Sequence, residues 1–454
     1  MASFADGVSR PLRRGLTGVV AAALLAACAS GRGPAVSGPV VPAAGLPAAD
    51  TLLRQPEHVV LIAIPGLVAA DFLPAPGVRA TAPQLAVLAE AGLAVEALLP
   101  VFPPLSLPAL VSLVTGRGPV RHGVWQSQSI GERGLGAPGP VPASAVQGGT
   151  LWQAVAAAGG AVASFDWPAT AGTAIAQPLP AAVTDPAAAA PGPARDTAIA
   201  AAACTLLIGP DPPRLLLLRL SQADIARASA APGSVAAQRS IAGADAQVAR
   251  LVGCLRQAAR LESTAIVVTG DHGALPVHTA ILPNARLADV GLVTLERGRR
   301  VVSWRALARS NGGTAFVYAR DAEDALLARR ALDESARRSG AFRVVSAQEL
   351  LARGADPEAW FGLDAAPGWV FDDGFDTSLF APATRRAAGG YAPGEQRMAT
   401  GLVAFGAGLR SGLRVPEMRQ IDVAPTLAGL LGVGLPDADG LALVGVLRSR
   451  GSSE

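Results

Sequence analysis

Residues 264–273 read Thr-Ala-Ile-Val-Val-Thr-Gly-Asp-His-Gly, and this stretch decides the fold class. Its first six residues form a short, continuous apolar run, which is typical of a β-strand buried on both faces of a sheet. Asp271 and His272 follow directly after that run. In α/β sheets, ligands bind beyond the carboxyl ends of the strands. The stretch therefore predicts a buried strand with a titratable pair at the edge where a site would form.

Further runs of the same kind alternate with helical patterns along the chain. The apolar runs cover residues 58–64, 161–165, 215–220 and 402–405. Between them lie segments with helical periodicity, at 82–91, 150–158, 197–208 and 235–259. Strands and helices that alternate in this way build a parallel sheet with helices on its faces. We therefore predict an α/β fold, an α/β/α sandwich with a mostly parallel central sheet.

One segment, residues 293–390, departs from this alternation. It combines short strand-like runs with helix-like patterns, at 314–319, 322–338, 342–345 and 347–353. We interpret it as an inserted α+β cap subdomain. The main α/β domain would then consist of residues 56–292 and 391–445.

The N-terminus has the pattern of an export signal. Three arginines precede an apolar segment, residues 15–27, which is too short to span a bilayer. The sequence Leu-Ala-Ala-Cys at 25–28 resembles the end of a bacterial lipoprotein signal, in which the cysteine is acylated. We expect residues 1–27 to be removed and Cys28 to anchor the chain to a membrane of the bacterial cell envelope, facing the periplasm or the exterior. Residues 28–55, rich in Pro, Ala and Gly, would form a tether. An ordinary cleaved signal with an incidental cysteine is the alternative.

Composition and charge narrow the class of partner. The chain has 454 residues, half of them hydrophobic, which is enough for a large core. Its formal net charge of +3 is too small for a nucleic-acid-binding surface. Cys204 and Cys254 could pair in an oxidising compartment, but each lies in an apolar, helix-like stretch where cysteine is commonly a small buried hydrophobe. The sequence favours two separate buried cysteines over a disulfide.

Several short motifs follow one another in a defined order between residues 58 and 440. They are Val-Phe-Pro-Pro-Leu-Ser-Leu-Pro at 101–108, Leu-Val-Thr-Gly at 113–116, His-Gly at 122–123, Trp-Pro at 167–168, Asp-His-Gly at 271–273, Ala-Phe-Gly-Ala-Gly at 404–408 and Ile-Asp-Val-Ala-Pro-Thr-Leu at 421–427. In this order, they resemble the type I phosphodiesterase and nucleotide pyrophosphatase branch of the alkaline phosphatase superfamily. The resemblance implies an alkaline-phosphatase-like fold and a phosphorylated small molecule as ligand.

The same resemblance implies a two-metal hydrolase. In that family, two zinc ions clamp a phosphoryl group, and a metal-bound Ser or Thr hydroxyl attacks phosphorus. Ser106 stands at the nucleophile position. It precedes Pro108 and an apolar run, so we expect it at the N-terminus of a helix, where backbone donors and the helix dipole favour a phosphate.

The first metal site that the resemblance implies is incomplete. Asp271 and His272 match the Asp-His ligand pair of the family, but Pro65 stands after the first strand, where the family has an aspartate. Proline has no side-chain donor atom, so an anionic ligand is lost. His278 follows Asp271 by seven residues and is the candidate for a substitute ligand. A solvent-facing loop histidine is the simpler interpretation of His278.

The second metal site is more depleted. Asp224 matches the aspartate of the family, but Ala228 stands where a histidine is expected four residues later. Gly389 replaces a second histidine, and Ala109 replaces an asparagine that helps to hold the phosphate. Catalytic zinc normally takes three protein ligands. The sequence therefore predicts at most one weakly bound zinc ion.

Two functional hypotheses follow, together with a weaker third. The first is a phosphodiesterase-like envelope lipoprotein that is catalytically impaired and acts by binding or scaffolding. The second is an active phosphodiesterase or pyrophosphatase that uses Ser106 as nucleophile with a rebuilt single-metal site. The third, a purely structural envelope protein, has no positive signal in the sequence. No motif in the chain identifies a protein partner.

Overall fold

The computed structural model describes residues 40–179, 190–296, 300–375 and 378–448, except for the side chains of residues 227 and 228. Cys28 and the predicted signal at 1–27 lie outside these residues, and the predicted tether is described only from residue 40 onward. All the described residues belong to one unit, which spans 37–454.

A seven-stranded sheet lies at the centre of this unit, with the strand order β20-β2-β19-β7-β1-β6-β5. Its members are β1 (His58–Ala63), β2 (Leu93–Leu99), β5 (Val162–Phe165), β6 (Leu215–Arg219), β7 (Thr264–Thr269), β19 (Thr400–Gly406) and β20 (Leu413–Arg419). Strands β5, β6, β1 and β7 are parallel to one another, whereas β19 is antiparallel to both its neighbours. Every residue of β1 and β7 is buried, as expected for strands covered on both faces. The predicted, mostly parallel sheet is confirmed.

Helices cover both faces of this sheet. They are α1 (Pro83–Ala91), α2 (Ser106–Thr115), α3 (Pro119–His122), α4 (Leu151–Ala157), α5 (Pro193–Ile208), α6 (Gln222–Ser229), α7 (Val235–Gln257) and α11 (Val423–Leu431). Side chains of β1 alternate between two cores: Val60 and Ile62 pack with α1, α5 and α7, whereas Val59 and Leu61 pack with α2, α4 and α11. Because successive strand residues point to opposite faces, this alternation gives the α/β/α sandwich.

The segment predicted to be a cap contains a second sheet, which is antiparallel and has the order β12-β13-β15-β14. Its strands are β12 (Ala306–Ser310), β13 (Thr314–Ala319), β14 (Phe342–Val345) and β15 (Phe361–Ala365), and it is accompanied by α9 (Ala322–Ser339) and α10 (Ala347–Ala352). Other short elements surround it: β3 (Ile130–Gly131), β4 (Gly134–Leu135), β8 (Leu275–Pro276), β9 (Thr279–Ile281), α8 (Pro283–Asp289), β10 (Val293–Leu295), β11 (Val301–Trp304), β16 (Trp369–Phe371), β17 (Phe380–Pro382) and β18 (Ala387–Ala388).

Elements that precede residue 293 are also paired with this segment. Strand β9 lies between β16 and β17, and Ile281 and Leu287 belong to the same apolar cluster as Phe361 and Leu363. The N-terminal limit of the cap at residue 293 stays a prediction, but β8 is also paired with this segment, through β18.

Two features, a disulfide and the packing of residues 40–55, differ from the sequence-based expectations. Cys204 in α5 and Cys254 in α7 form a disulfide, with their Cα atoms 6.1 Å apart, so the preferred interpretation as two separate buried thiols is wrong. The sequence could not reveal this pairing because it depends on how α5 lies against α7. In the predicted tether, Val41 and Leu52 are buried in the core, and the backbone N–H of Val41 donates to the Gln84 side chain at 2.6 Å.

None of the helices in the described ranges is both long enough and apolar enough to cross a membrane.

Candidate active site

The site residues follow the carboxyl ends of neighbouring parallel strands. Asp271 and His272 come after β7, Pro65 follows β1, Arg219 ends β6, and Trp167 follows β5. Because these strands are adjacent and parallel in the order β7-β1-β6-β5, their ends meet at one edge of the sheet. The fold therefore places a carboxylate and an imidazole at one end of the row and a guanidinium in its middle.

Ser106 is the first residue of α2 and lies opposite this edge. Its hydroxyl donates a short hydrogen bond to Oδ2 of Asp271, and its Oγ lies 3.5 Å from Nε2 of His272. Asp271 is fully buried, and its Oδ1 accepts the backbone N–H groups of Gly66, at 2.9 Å, and of His272, at 2.7 Å. The structure therefore brings together Ser106, Asp271 and His272, three of the predicted site residues. Both carboxylate oxygens of Asp271 accept hydrogen bonds.

The orientation of His272 is fixed by its other ring nitrogen. Nδ1 lies 2.6 Å from the carbonyl oxygen of Gly273, so the Nδ1–H donates to that oxygen and Nε2 carries the lone pair towards Ser106. Gly389 packs directly against the imidazole, because a Cβ atom added at residue 389 would collide with Cε1 and Nδ1 of His272. At residue 389, where the family resemblance implies a histidine, the backbone therefore covers His272.

Asp224 is paired with an arginine. It lies in the first turn of α6, and Arg219 Nη2 donates to its Oδ2 at 2.7 Å. Asp196 at the start of α5 fixes the beginning of α6, because its carboxylate accepts both the backbone and side-chain donors of Ser221 and Gln222. Burial raises the pKa of Asp196, although these four hydrogen bonds oppose the shift. The Arg219–Asp224 pair is therefore anchored at both ends by the scaffold.

Two cavities meet at Ser106. The smaller, about 420 Å³, is lined by Asp224, His272, Arg385 and Gly389 as well as Ser106. The larger, about 810 Å³, shares Ser106 and extends past β5 and β6, where it is lined by the charged residues Asp166, Arg195 and Arg219 and by Trp167. Asp166 and Arg195 form a two-point ion pair, and the hydrogen bond to Asp166 raises the pKa of Arg195. A cavity of this size can hold a small organic ligand next to the serine hydroxyl.

Other predicted site residues lie apart from this group or contribute no donor. His278 is exposed, bonds to the Thr279 hydroxyl at 2.7 Å and packs edge-on against Trp369. It is not among the residues that line either cavity at Ser106. Pro65 is buried at the end of β1, and Ala109 is buried in α2. Ala228 lies in α6, about one turn after Asp224.

The residues present do not fit a two-metal centre. Within the described ranges, no group of three or more His, Cys, Asp or Glu side chains is placed to hold a metal ion. Both oxygens of Asp271 already accept protein donors, and Asp224 accepts Arg219. Catalytic zinc normally takes three protein ligands. A single weakly held zinc ion stays a prediction.

Sequence reasoning gave no role to Arg219, Asp166, Arg195 or Asp196, although Trp-Pro at 167–168 was among the family motifs. The position of Arg219 could have been predicted from the sequence, because it is a charged residue that follows four leucines at the end of a strand. Arg195 and Asp196 had none, because their roles depend on how the start of α5 meets the strand ends.

Solved structures with the same fold come from ectonucleotide pyrophosphatases. Human ectonucleotide pyrophosphatase/phosphodiesterase 5 is 16% identical to this chain, with a TM-score of 0.67, and the match covers 86% of this chain and 100% of that one. The murine protein matches at the same identity and coverage with a TM-score of 0.65, as does a structure of its inactive variant in complex with AMP. At this identity, the likeness shows the fold alone.

No curated protein sequence matches this chain. The sequence model of one family, however, covers residues 59–361, which is more than half of the chain. Those residues contain Ser106, Asp224, Asp271 and His272. The chain therefore belongs to the type I phosphodiesterase / nucleotide pyrophosphatase family.

Proposed function

We propose that this chain is a catalytically impaired family member of the cell envelope that binds a phosphorylated small molecule beside Ser106. The observation that carries the proposal is the state of the two retained carboxylates. Asp271 accepts the Ser106 hydroxyl, and Asp224 accepts the Arg219 guanidinium, so protein donors occupy oxygens that the family resemblance assigns to metal ions. The AMP complex of the inactive murine relative makes a phosphorylated nucleotide a reasonable ligand class.

The expected loss of activity follows from charge. In a two-metal site, the ions stabilise both the attacking and the leaving oxygen of an in-line displacement. Pro65 and Gly389 supply no ligand, and Gly389 leaves no space for one beside His272. Losing even one such ion removes several kcal/mol of transition-state stabilisation, which corresponds to orders of magnitude in rate.

A second candidate function is hydrolysis by Ser106, and the serine geometry favours it. The hydroxyl donates to Asp271 and lies 3.5 Å from the lone pair of His272, which is the arrangement of a nucleophile beside a base. In such a reaction, Oγ would bond to phosphorus, its proton would pass to Asp271 or His272, and the ester oxygen would leave with the bonding pair. Water would then release the phosphoryl group.

The test is hydrolysis of bis(4-nitrophenyl) phosphate by the wild type and by Ser106→Ala, each in chelator, in added zinc and in added manganese. We expect no rate above background that Ser106→Ala abolishes. Ser303→Ala, an exposed serine in β11, is the matched control. A rate in the wild type and in Ser303→Ala that disappears in Ser106→Ala would establish the second candidate instead.

The location in the envelope is also a proposal, and the disulfide supports it. Disulfides persist mainly in exported proteins because the cytosol keeps thiols reduced. The Cys204–Cys254 bond therefore agrees with the export signal expected at 1–27 and with acylation of Cys28.

A further inference from the structure

Arg219 is paired with Asp224, a carboxylate that the family resemblance assigns to a metal ion. Its Nη2 donates to Oδ2 of Asp224 at 2.7 Å. Arg219 ends β6, in which the four preceding leucines are buried between β1 and β5. A site is precise when its groups lie on rigid elements. Here the guanidinium is carried by a strand that is paired on both sides, and its partner lies in a helix whose start is fixed by Asp196.

Two N–H groups that belong to residues lining the larger cavity have no hydrogen-bond partner in the described part of the chain. One is the Nε–H of Arg219, and the other is the indole Nε1–H of Trp167. Trp167 is only 3% exposed, and both nitrogen atoms are buried. Leaving a buried donor unpaired is unfavourable, because the donor has lost its hydrogen bonds to water. Two such donors in residues that line one cavity indicate a ligand that accepts hydrogen bonds.

The N-terminus of α2 borders the same cavity through Ser106 and Leu107. The residue before the helix, Leu105, has no side-chain acceptor to cap the first N–H groups. The dipole of the helix adds partial positive charge at this end. An anion at Ser106 would thus satisfy backbone donors of α2 and the side-chain donors of Arg219 and Trp167 together.

Charge and shape identify the chemical class of the ligand. Two arginines line the cavity, and each is paired with an aspartate, Arg195 with Asp166 and Arg219 with Asp224. The two N–H groups without a partner in the described part of the chain, on Arg219 and Trp167, are donors. They favour an acceptor-rich anion such as a phosphate. Beyond them, the wall is apolar and includes Leu110, Pro138, Pro140, Val141 and Pro168. The cavity therefore has a polar end for a phosphate and an apolar end for an organic group.

Resting on the proposed function, we propose that Arg219 replaces the second metal ion and, with Trp167 and the start of α2, binds the phosphate group of an organic phosphate without any metal. The binding energy would come from hydrogen bonds and the guanidinium charge, and the organic group would lie along the apolar wall.

The experiment is calorimetric titration of the purified chain with AMP and, separately, with inorganic phosphate, in excess chelator and again in added zinc. We expect the wild type to bind AMP in chelator, and to bind it more tightly than inorganic phosphate because only AMP contacts the apolar wall. Arg219→Gln should weaken AMP binding at least tenfold, and Trp167→Phe, which keeps the ring but removes the N–H, should weaken it severalfold. Arg414→Gln, an exposed arginine in β20, is the matched control and should bind as the wild type does.

Three results would overturn the proposal: binding that appears only in zinc, an Arg219→Gln variant that binds normally, or inorganic phosphate that binds as tightly as AMP. Thermal unfolding of each variant checks its folding, and Arg219→Lys, which keeps a charge but lacks the Nε–H, replaces Arg219→Gln if the latter does not fold. Absence of binding in every condition would instead contradict the proposed function itself, so the two failures are distinguishable.

Discussion

Gly389 illustrates how the absence of a side chain can be a packing requirement. An added Cβ atom would collide with the His272 ring and would lie 2.9 Å from the carbonyl oxygen of Pro104. We predict that Gly389→Ala lowers the free energy of unfolding by about 1–3 kcal/mol, the usual cost of forcing extra volume into a packed site. Urea unfolding measures this change. Gly434→Ala, at an exposed glycine with open space around it, should change the free energy by less than about 0.5 kcal/mol.

A Gly389→Ala protein as stable as the wild type would show that His272 moves easily, and the close packing would then have no energetic meaning. The same contact would oppose a histidine at residue 389, which is the residue type that the family resemblance implies there. The new side chain would first have to displace His272 from its position beside Ser106.

The sequence indicated the site residues that stand in family motifs, but it indicated neither Arg219 nor how the site residues pair. Asp271, His272 and Ser106 were found because each stands in a recognisable motif, and Pro65 because it interrupts one. The bond between Ser106 and Asp271, and that between Arg219 and Asp224, join parts of the chain through the order of the strands. Strand order is a property of the whole sheet, so no local pattern contains it.

Helix α1 depends on a capping residue from another helix. Its N-cap position is Ala82, which offers no acceptor, and the carboxylate of Asp245 in α7 instead accepts the N–H groups of Gln84 and Leu85, each at 2.9 Å. Burial raises the pKa of Asp245 to about 7, although the two hydrogen bonds oppose the shift. A capping side chain of this kind contributes about 1 kcal/mol.

This capping residue gives a pH-dependent stability with a definite sign. An unfolded aspartate titrates near pH 4, so between that pH and about 7 the folded chain binds the proton of Asp245 more tightly than the unfolded chain does. Stability contributed by Asp245 is therefore lost as pH rises through 7. We predict that the contribution falls by about 1 kcal/mol between pH 6 and pH 8.

The measurement is urea unfolding of the wild type and Asp245→Asn at both pH values, because other titrating groups are common to the two proteins and cancel in the comparison. The free energy of Asp245→Asn relative to the wild type should rise between pH 6 and pH 8 by that amount. Asp211→Asn, at an exposed loop position, is the control. An equal pH dependence in the wild type and Asp245→Asn would contradict the raised pKa.

Elements with a regular apolar pattern were predicted close to their true bounds, whereas two strands of the central sheet were not predicted. The strand expected at 264–269 is Thr264–Thr269, and the helix expected at 235–259 is Val235–Gln257. Strands β2 and β20 were missed because Glu96 interrupts the first and alternating charged residues mark the second as an edge strand. At the edge of a sheet only one face needs apolar residues, so the signal for a buried strand is absent.

At the scale of the whole molecule, the expected lipid anchor at Cys28 lies N-terminal to the domain that carries the candidate site. Residues 40–55 pack onto the core through Val41 and Leu52, so in the described part of the predicted tether the chain already follows the domain surface. A lipid on Cys28 would thus be joined to the domain by at most the residues between 28 and 40.

Anchoring through Cys28 is the last prediction. Each methylene of an acyl chain contributes about 0.8 kcal/mol when buried in a bilayer, so two or more chains hold a protein firmly. We expect the full chain, expressed in a bacterium that processes lipoproteins, to stay with the membrane fraction after a high-salt wash, and Cys28→Ser to appear in the soluble fraction. Ser37→Ala, a change in the same segment, should behave as the wild type does. If Cys28→Ser still sediments after the wash and is released by detergent, another part of the chain holds the membrane, and the lipoprotein hypothesis is wrong.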